Sequence, residues 1–178
     1  MGEQEFRVFN TGAPQLDEFK NYSYLNNEDF YNQFKLNKNE DFALIVLHPI
    51  TEESEKSEQQ MSLILNVILE LGIQSVLIFP NNDAGSVGIQ NAVNAINSTI
   101  IHTKRNVDRE SYANLMNRAK FIIGNSSSGI LEAPTFKLPA INIGRRPYII
   151  KYSILKLNTL LAKSRSILDF MYKAIKYW

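Results

Sequence analysis

Phe121-Ile122-Ile123-Gly124-Asn125-Ser126-Ser127-Ser128-Gly129-Ile130-Leu131-Glu132-Ala133-Pro134 is the stretch whose reading decides the fold. Phe121 to Ile123 is a short apolar run rich in strand formers, as expected of a buried strand. Gly124 to Gly129 is a turn of small polar residues, and a helix begins after Ser127. Small residues let the backbone come close to a ligand. The free N–H groups and positive dipole end of a helix N-terminus attract phosphate, and three successive hydroxyls add donors at the same place. Glu132 follows Ser127 by about one and a half helical turns, within reach of a sugar diol beyond the phosphates. A strand, a phosphate cradle and a nearby carboxylate together describe a nucleotide-sugar site.

The same order of elements recurs along the chain. Phe42-Ala43-Leu44-Ile45-Val46-Leu47 is an unbroken apolar run, which predicts a strand covered on both faces. Val76-Leu77-Ile78-Phe79, Thr99-Ile100-Ile101 and Ala140-Ile141-Asn142-Ile143 read as further strands. Met61, Ile64, Leu65, Ile68 and Leu71 recur on one helical face, with Ser54 and Ser57 as capping residues before it and Gly72 as its C-terminal cap. Ile89, Val93 and Ile96 mark a second helix after the loop Pro80-Asn81-Asn82-Asp83-Ala84-Gly85-Ser86, and Ser111 to Ala119 forms a third. Alternating strands and helices predict an α/β fold, a Rossmann-like, largely parallel sheet spanning residues 41–146. Residues 1–40 read as a linker and partial N-terminal element. They hold a short strand at Val8-Phe9, a turn at Asn10 to Pro14 and a short helix after Asn26-Asn27-Glu28-Asp29.

Ligands of such sheets sit at the carboxyl ends of the strands. The residues expected there are His48, Asn81 with Asp83, His102 to Asn106, Asn125 to Ser128, and Arg145 with Arg146. Each has a plainer reading. His48 before Pro49 can be a turn residue, and Asn81 and Asp83 can shape a turn and cap the next helix. Glu132 suits an early helical turn by dipole alone, and Arg145 and Arg146 can be a solvated pair. Ser126 and Ser127 can be helix caps, but three serines between two glycines exceed what one cap requires, which favours phosphate. His102-Thr103-Lys104-Arg105 reads as a loop whose backbone meets a base. The turn at Gly124 matches neither the P-loop nor the GxGxxG fingerprint.

The chain has 178 residues, 44% of them hydrophobic, with a formal net charge of +1. That balance gives no general attraction to nucleic acid. Cysteine is absent, which removes disulfides, thiolate metal sites and a cysteine nucleophile. The two histidines have no metal-ligand spacing, and neither a metal nor a cofactor is expected. No apolar leader region opens the chain and no run of about 18 apolar residues occurs. A cytoplasmic location without a membrane span fits these features.

Four segments in order resemble the UDP-N-acetylglucosamine 2-epimerase family: Leu47-His48-Pro49-Ile50-Thr51-Glu52, Pro80 to Ser86, Gly124 to Pro134, and Pro139-Ala140-Ile141-Asn142-Ile143-Gly144-Arg145-Arg146. Val8 to Pro14 also looks like the family's segment just before its second domain, so the resemblance covers about residues 6–146. It implies the second half of a two-domain, glycosyltransferase-B-type architecture, the half that holds UDP or UDP-N-acetylglucosamine. It implies that Ser126 and Ser127 bind the diphosphate and Glu132 the ribose. By the same resemblance His48 is catalytic, on the phosphate and sugar side of the cleft, Arg146 lies at the mouth, and Asn81 and Asp83 line the nearby loop. The implied reaction removes the C2 proton and eliminates UDP, then re-adds it on the other face. In the hydrolysing branch, used in sialic acid synthesis, water is added and N-acetylmannosamine released. The three-serine turn and Thr51-Glu52-Glu53 incline toward that branch.

Two departures stand out. The family's first half, which supplies the acidic residues thought to move protons, is not in this sequence, so a truncated and inactive form is expected, partnered by a separate N-terminal half or by copies of itself. Its Gln-x-Gly-Arg segment after Arg146 is replaced by Pro147-Tyr148-Ile149-Ile150-Lys151-Tyr152. Residues 147–178 hold six Lys/Arg against one Asp. They read either as out-of-frame sequence from an AT-rich gene, which is preferred, or as a helix carrying Ile150, Ile154, Leu157, Leu161, Leu168, Met171 and Ile175 on one face. The alternative function is the UDP-sugar-binding domain of a glycosyltransferase-B-type glycosyltransferase.

Overall fold

The computed structural model describes residues 4–9, 11–80 and 85–143. Its strands are β1 Phe42–Val46, β2 Gln74–Ile78, β3 Ile101–Lys104, β4 Phe121–Gly124 and β5 Ala140–Asn142. They form one parallel sheet in the order β3-β2-β1-β4-β5. The helices are α1 Asn27–Phe34, α2 Ser57–Leu71, α3 Ser86–Asn94, α4 Arg109–Arg118 and the single turn α5 Ser128–Leu131.

The unbroken apolar run of β1 follows from its central position. Ala43, Ile45 and Leu47 face Met61, Leu65, Ile68 and Ile89 of α2 and α3. Phe42, Leu44 and Val46 face the opposite layer, with Phe30 and Phe34 of α1 and Leu115 and Met116 of α4. Phe19 joins that second layer, its ring edge-on to Phe136 at 5.3 Å. The polar opening of the chain thus supplies three aromatic side chains to the core, each contributing about 1.5–3 kcal/mol by its burial. Asn114, fully buried on α4, ties this segment down. Its Oδ1 accepts the Leu25 N–H at 3.0 Å and its Nδ2 donates to the Ser23 carbonyl at 2.8 Å.

Short-range chemistry sets the helix ends. Asn26 Oδ1 accepts the Asp29 N–H at 2.9 Å, and Asp108 Oδ1 accepts the Ser111 N–H at 2.8 Å. The hydrogen bonds from Ser111 hold the Asp108 carboxyl below the usual carboxylate range. Gly72, at φ 62°, closes α2 in the left-handed conformation expected of it.

Three expectations change. Val8-Phe9 is exposed and is not a strand. Ser54 and Ser57 do not cap α2 with their hydroxyls. A 3-10 turn over Thr51–Lys56 leads into the helix and already gives the Ser57 N–H a backbone acceptor at Ser54, and Ser57 Oγ donates to the same carbonyl. The third strand lies two to three residues later than its apolar run, over Ile101–Lys104, because pairing to β2 matches Ser75 with Ile101 and Ile78 with Lys104. An edge strand needs less apolar cover than a central one. Lys104 serves there by donating to the Gln33 carbonyl at 2.7 Å and standing 5.5 Å from the Phe34 ring centre. His102 is therefore a strand residue, as are Thr103 and Lys104, and only Arg105 and Asn106 remain in the loop. Burial and the nearby Lys35 and Lys104 push the His102 imidazole below its ordinary value.

Candidate nucleotide-binding site

Strand order reverses between β1 and β4. From β1 the chain moves outward to β2 and β3, then returns to place β4 on the other flank of β1. This switch point opens a crevice at the carboxyl ends of the two central strands, where open α/β sheets bind ligands. His48 follows β1 and Asn125 to Ser128 follow β4, so both segments meet in that crevice.

Their junction is a pair of hydrogen bonds. The His48 N–H donates to Asn125 Oδ1 at 2.8 Å, and Asn125 Nδ2 donates to the His48 carbonyl at 2.7 Å. One side-chain amide thereby satisfies both backbone groups of His48 and fixes it against the serine turn. Asn125 was expected at this strand end, but the sequence reading gave it no role of its own and did not pair it with His48. Its only signal was its place at the end of a strand beside a glycine.

Gly124 makes the close approach possible. It pairs with Val46 in the sheet and has φ 146°. A Cβ there would sit 1.8 Å from the Val46 carbonyl oxygen. Gly85, at φ 92°, plays a similar part at the start of α3, where a Cβ would lie 2.7 Å from Ser57 Oγ and 2.9 Å from Pro49 Cβ. The loop after β1 and the start of α3 are thus packed together.

Within the turn, Ser126 Oγ and Ser128 Oγ are 3.2 Å apart, and Ser126 Oγ accepts the Ser128 N–H at 3.3 Å. Ser127 stands at the N-cap position of α5 but makes no capping bond through its hydroxyl. The plainer reading of Ser127 as a cap therefore loses its support. Glu132 follows at the end of α5, its N–H bonded to the Ser128 carbonyl at 3.1 Å. His48, Ser126 and Ser127 thus follow the ends of the two central strands, while Glu132 lies one turn further on, at the end of α5, with its carboxylate near Tyr112 of α4. Asn81, Asp83 and Arg146 lie outside the described residues, as does all of 147–178.

An open cleft of about 540 Å³ lies on the same end of the sheet, beyond β2 and β3. Phe79, Ser86, Gln90, Arg105 and Asn106 help to line it, and the Arg105 guanidinium stands 6.0 Å from the Phe79 ring centre. Sequence reasoning placed Arg105 and Asn106 at a strand end but gave no sign of a cleft. Among the described residues no helix is long and apolar enough to cross a membrane.

Residues 1–176 match the family model of UDP-N-acetylglucosamine 2-epimerase. The match takes in most of the stretch after Arg146 that the quoted motifs left out. A UDP-N,N'-diacetylbacillosamine 2-epimerase (hydrolyzing) of Legionella pneumophila is 28% identical over 147 residues, covering 82% of this chain and 39% of that protein. A GDP/UDP-N,N'-diacetylbacillosamine 2-epimerase (hydrolyzing) of Campylobacter jejuni is 35% identical over 153 residues, with the same coverage of 82% and 39%. The chain spans about two fifths of the length of these relatives. The structure of the Neisseria meningitidis UDP-GlcNAc 2-epimerase bound to UDP-GlcNAc superposes with a TM-score of 0.60 at 17% identity, covering 81% of this chain and 43% of that one. The sheet is thus of the Rossmann-like kind found in these glycosyltransferase-B-type structures, and the chain belongs to the UDP-N-acetylglucosamine 2-epimerase family.

Proposed function

We propose that the crevice between β1 and β4 binds the UDP moiety of a 2-acetamido sugar nucleotide, and that residues 41–146 form the UDP-binding second half of a 2-epimerase. The observation that carries this reading is the Asn125 amide, which joins His48 to the serine turn at the switch point of the sheet. Ser126 and Ser127 donate to the diphosphate, and Glu132 accepts from the ribose hydroxyls. His48 faces the phosphate and the sugar. Asn81, Asp83 and Arg146, which lie outside the described residues, are assigned to the same nucleotide site by the family resemblance alone. The whole reaction removes the proton at C2 and eliminates UDP with cleavage of the C1–O bond. The intermediate then takes back UDP or takes up water. The hydrolysing outcome is favoured here by the three-serine turn and by the names of the Legionella and Campylobacter relatives. Those names also support UDP-N,N'-diacetylbacillosamine as a second substrate beside UDP-N-acetylglucosamine.

Replacing Ser127 with Ala should weaken UDP binding by about 1–2 kcal/mol, the scale of a hydrogen bond to a charged group. The melting temperature should stay near that of the unaltered chain, because the hydroxyl caps nothing. Calorimetry and a thermal melt on the same preparation test both parts. A lowered melt with unchanged affinity would return the hydroxyl to the helix.

Turnover needs groups on both faces of the sugar. One imidazole cannot remove a proton from one face and supply one on the other, and Glu132 is committed to the ribose. This chain alone should therefore release no N-acetylmannosamine from UDP-N-acetylglucosamine. Release that disappears in His48→Ala would overturn that division of labour.

A further inference from the structure

Tyr112 lies on α4, and its hydroxyl is buried with no aligned hydrogen bond. Two polar groups of the site just described are its neighbours: the Ser128 hydroxyl and the Glu132 carboxylate. Burial, with the Glu132 charge adding to it, pushes the phenol up to about 12, while Ser128 acts in the opposite direction. The phenol is thus a neutral O–H at physiological pH, buried beside the Ser128 hydroxyl without a well-formed hydrogen bond to it. In the turn itself, the contacts joining Ser126 and Ser128 are long, at 3.2 Å between hydroxyls and 3.3 Å from the Ser128 N–H to Ser126 Oγ. Good bonds of these kinds centre near about 2.8 and 2.9 Å.

We propose that Tyr112 is a positioning residue of the nucleotide site, whose O–H donates to Ser128 Oγ when an anion occupies the serine turn. A serine hydroxyl has one proton and two lone pairs. In the turn as it stands, the Ser126 hydroxyl donates to Ser128 Oγ. A diphosphate needs donors, so each serine must turn its own proton toward the anion. Ser128 Oγ then presents lone pairs to the protein interior, where Tyr112 is the waiting donor. That bond satisfies the buried phenol and holds the Ser128 proton on the ligand. A phenylalanine would fill the same space but leave Ser128 free to turn away.

This inference rests on the diphosphate reading. Its test is UDP calorimetry on the full chain and on Tyr112→Phe, Ser128→Ala and the double variant. Tyr112→Phe should lose about five- to tenfold in UDP affinity, the scale of one neutral hydrogen bond. It should melt no lower than the unaltered chain, since the hydroxyl it removes is unbonded. The same substitution in the Ser128→Ala background should cost little further affinity. Equal affinity in Tyr112→Phe would overturn the proposal, and so would a loss of full size in the absence of the Ser128 hydroxyl. If the unaltered chain binds no UDP, the diphosphate reading itself fails, a result distinct from either of these.

Discussion

Gly124→Ala should leave little folded protein. The added Cβ would meet the Val46 carbonyl oxygen at 1.8 Å and the Val46 carbonyl carbon at 2.5 Å. Both atoms belong to the backbone of the central strand, so neither can swing aside. The residue would also have to hold φ 146°, a conformation that costs a side chain about 1–3 kcal/mol by itself. Overpacking a core costs a further 1–3 kcal/mol or so. Together these approach about 4 kcal/mol, a large part of the roughly 5–15 kcal/mol by which a domain is stable. Circular dichroism and the soluble yield of the variant check the result. A folded Gly124→Ala protein with an unchanged melting curve would mean that β1 and β4 do not approach as closely as described.

Asn125→Leu is the second large effect. The substitution keeps the γ-branched shape, in a larger side chain, but removes both partners of His48, whose N–H and carbonyl each rely on the amide at 2.8 and 2.7 Å. An unsatisfied buried polar group costs about 1–3 kcal/mol, so the pair should cost roughly 2–4 kcal/mol in stability, some water being able to reach this half-buried spot. The melting temperature should fall by roughly 5–15 °C, taking about 2–4 °C per kcal/mol for a chain of this size. UDP affinity should fall too, because His48 and the serine turn are no longer held in one geometry. Asn125→Asp keeps an acceptor for the N–H and loses the donor to the carbonyl, so it should retain part of both properties. A melt of Asn125→Leu that matches the original would remove the clamp from the account.

The central strands were legible because their chemistry is uniform. β1 and β4 are covered on both faces, and Phe42–Val46 and Phe121–Ile123 are accordingly apolar without interruption. β3 was displaced because it lies at the sheet's edge, where His102, Thr103 and Lys104 are acceptable strand residues and the apolar run ends at Ile101. The N-terminal segment hid its contribution. Phe19, Phe30 and Phe34 are spaced among Asn, Asp and Glu, and the layer that buries them combines Phe42, Leu44 and Val46 of β1 with Ala113, Leu115 and Met116 of α4, more than seventy residues further along the chain. The serine turn could be read from its small residues and hydroxyls. Its bond to His48 could not, since that depends on β1 and β4 being neighbours, a fact of topology rather than of local pattern. Tyr112 was hidden for the same reason. A tyrosine on a helix facing the core reads as packing until the helix is seen to lie behind the turn.

The account stands on a uridine diphosphate site built from the ends of β1 and β4. Calorimetry of this chain with UDP, UMP and ADP tests it most directly. UDP should bind weakly, at tens of micromolar or poorer, about −6 kcal/mol, because on the proposed reading residues 41–146 are one half of a two-domain nucleotide-sugar site, so that by themselves they exclude water incompletely. UMP should bind more weakly than UDP, as it lacks the second phosphate for the serine turn, and ADP should bind more weakly as well. Equal heats and affinities for ADP and UDP would contradict a uridine site, and no binding of any of the three would contradict the nucleotide site altogether.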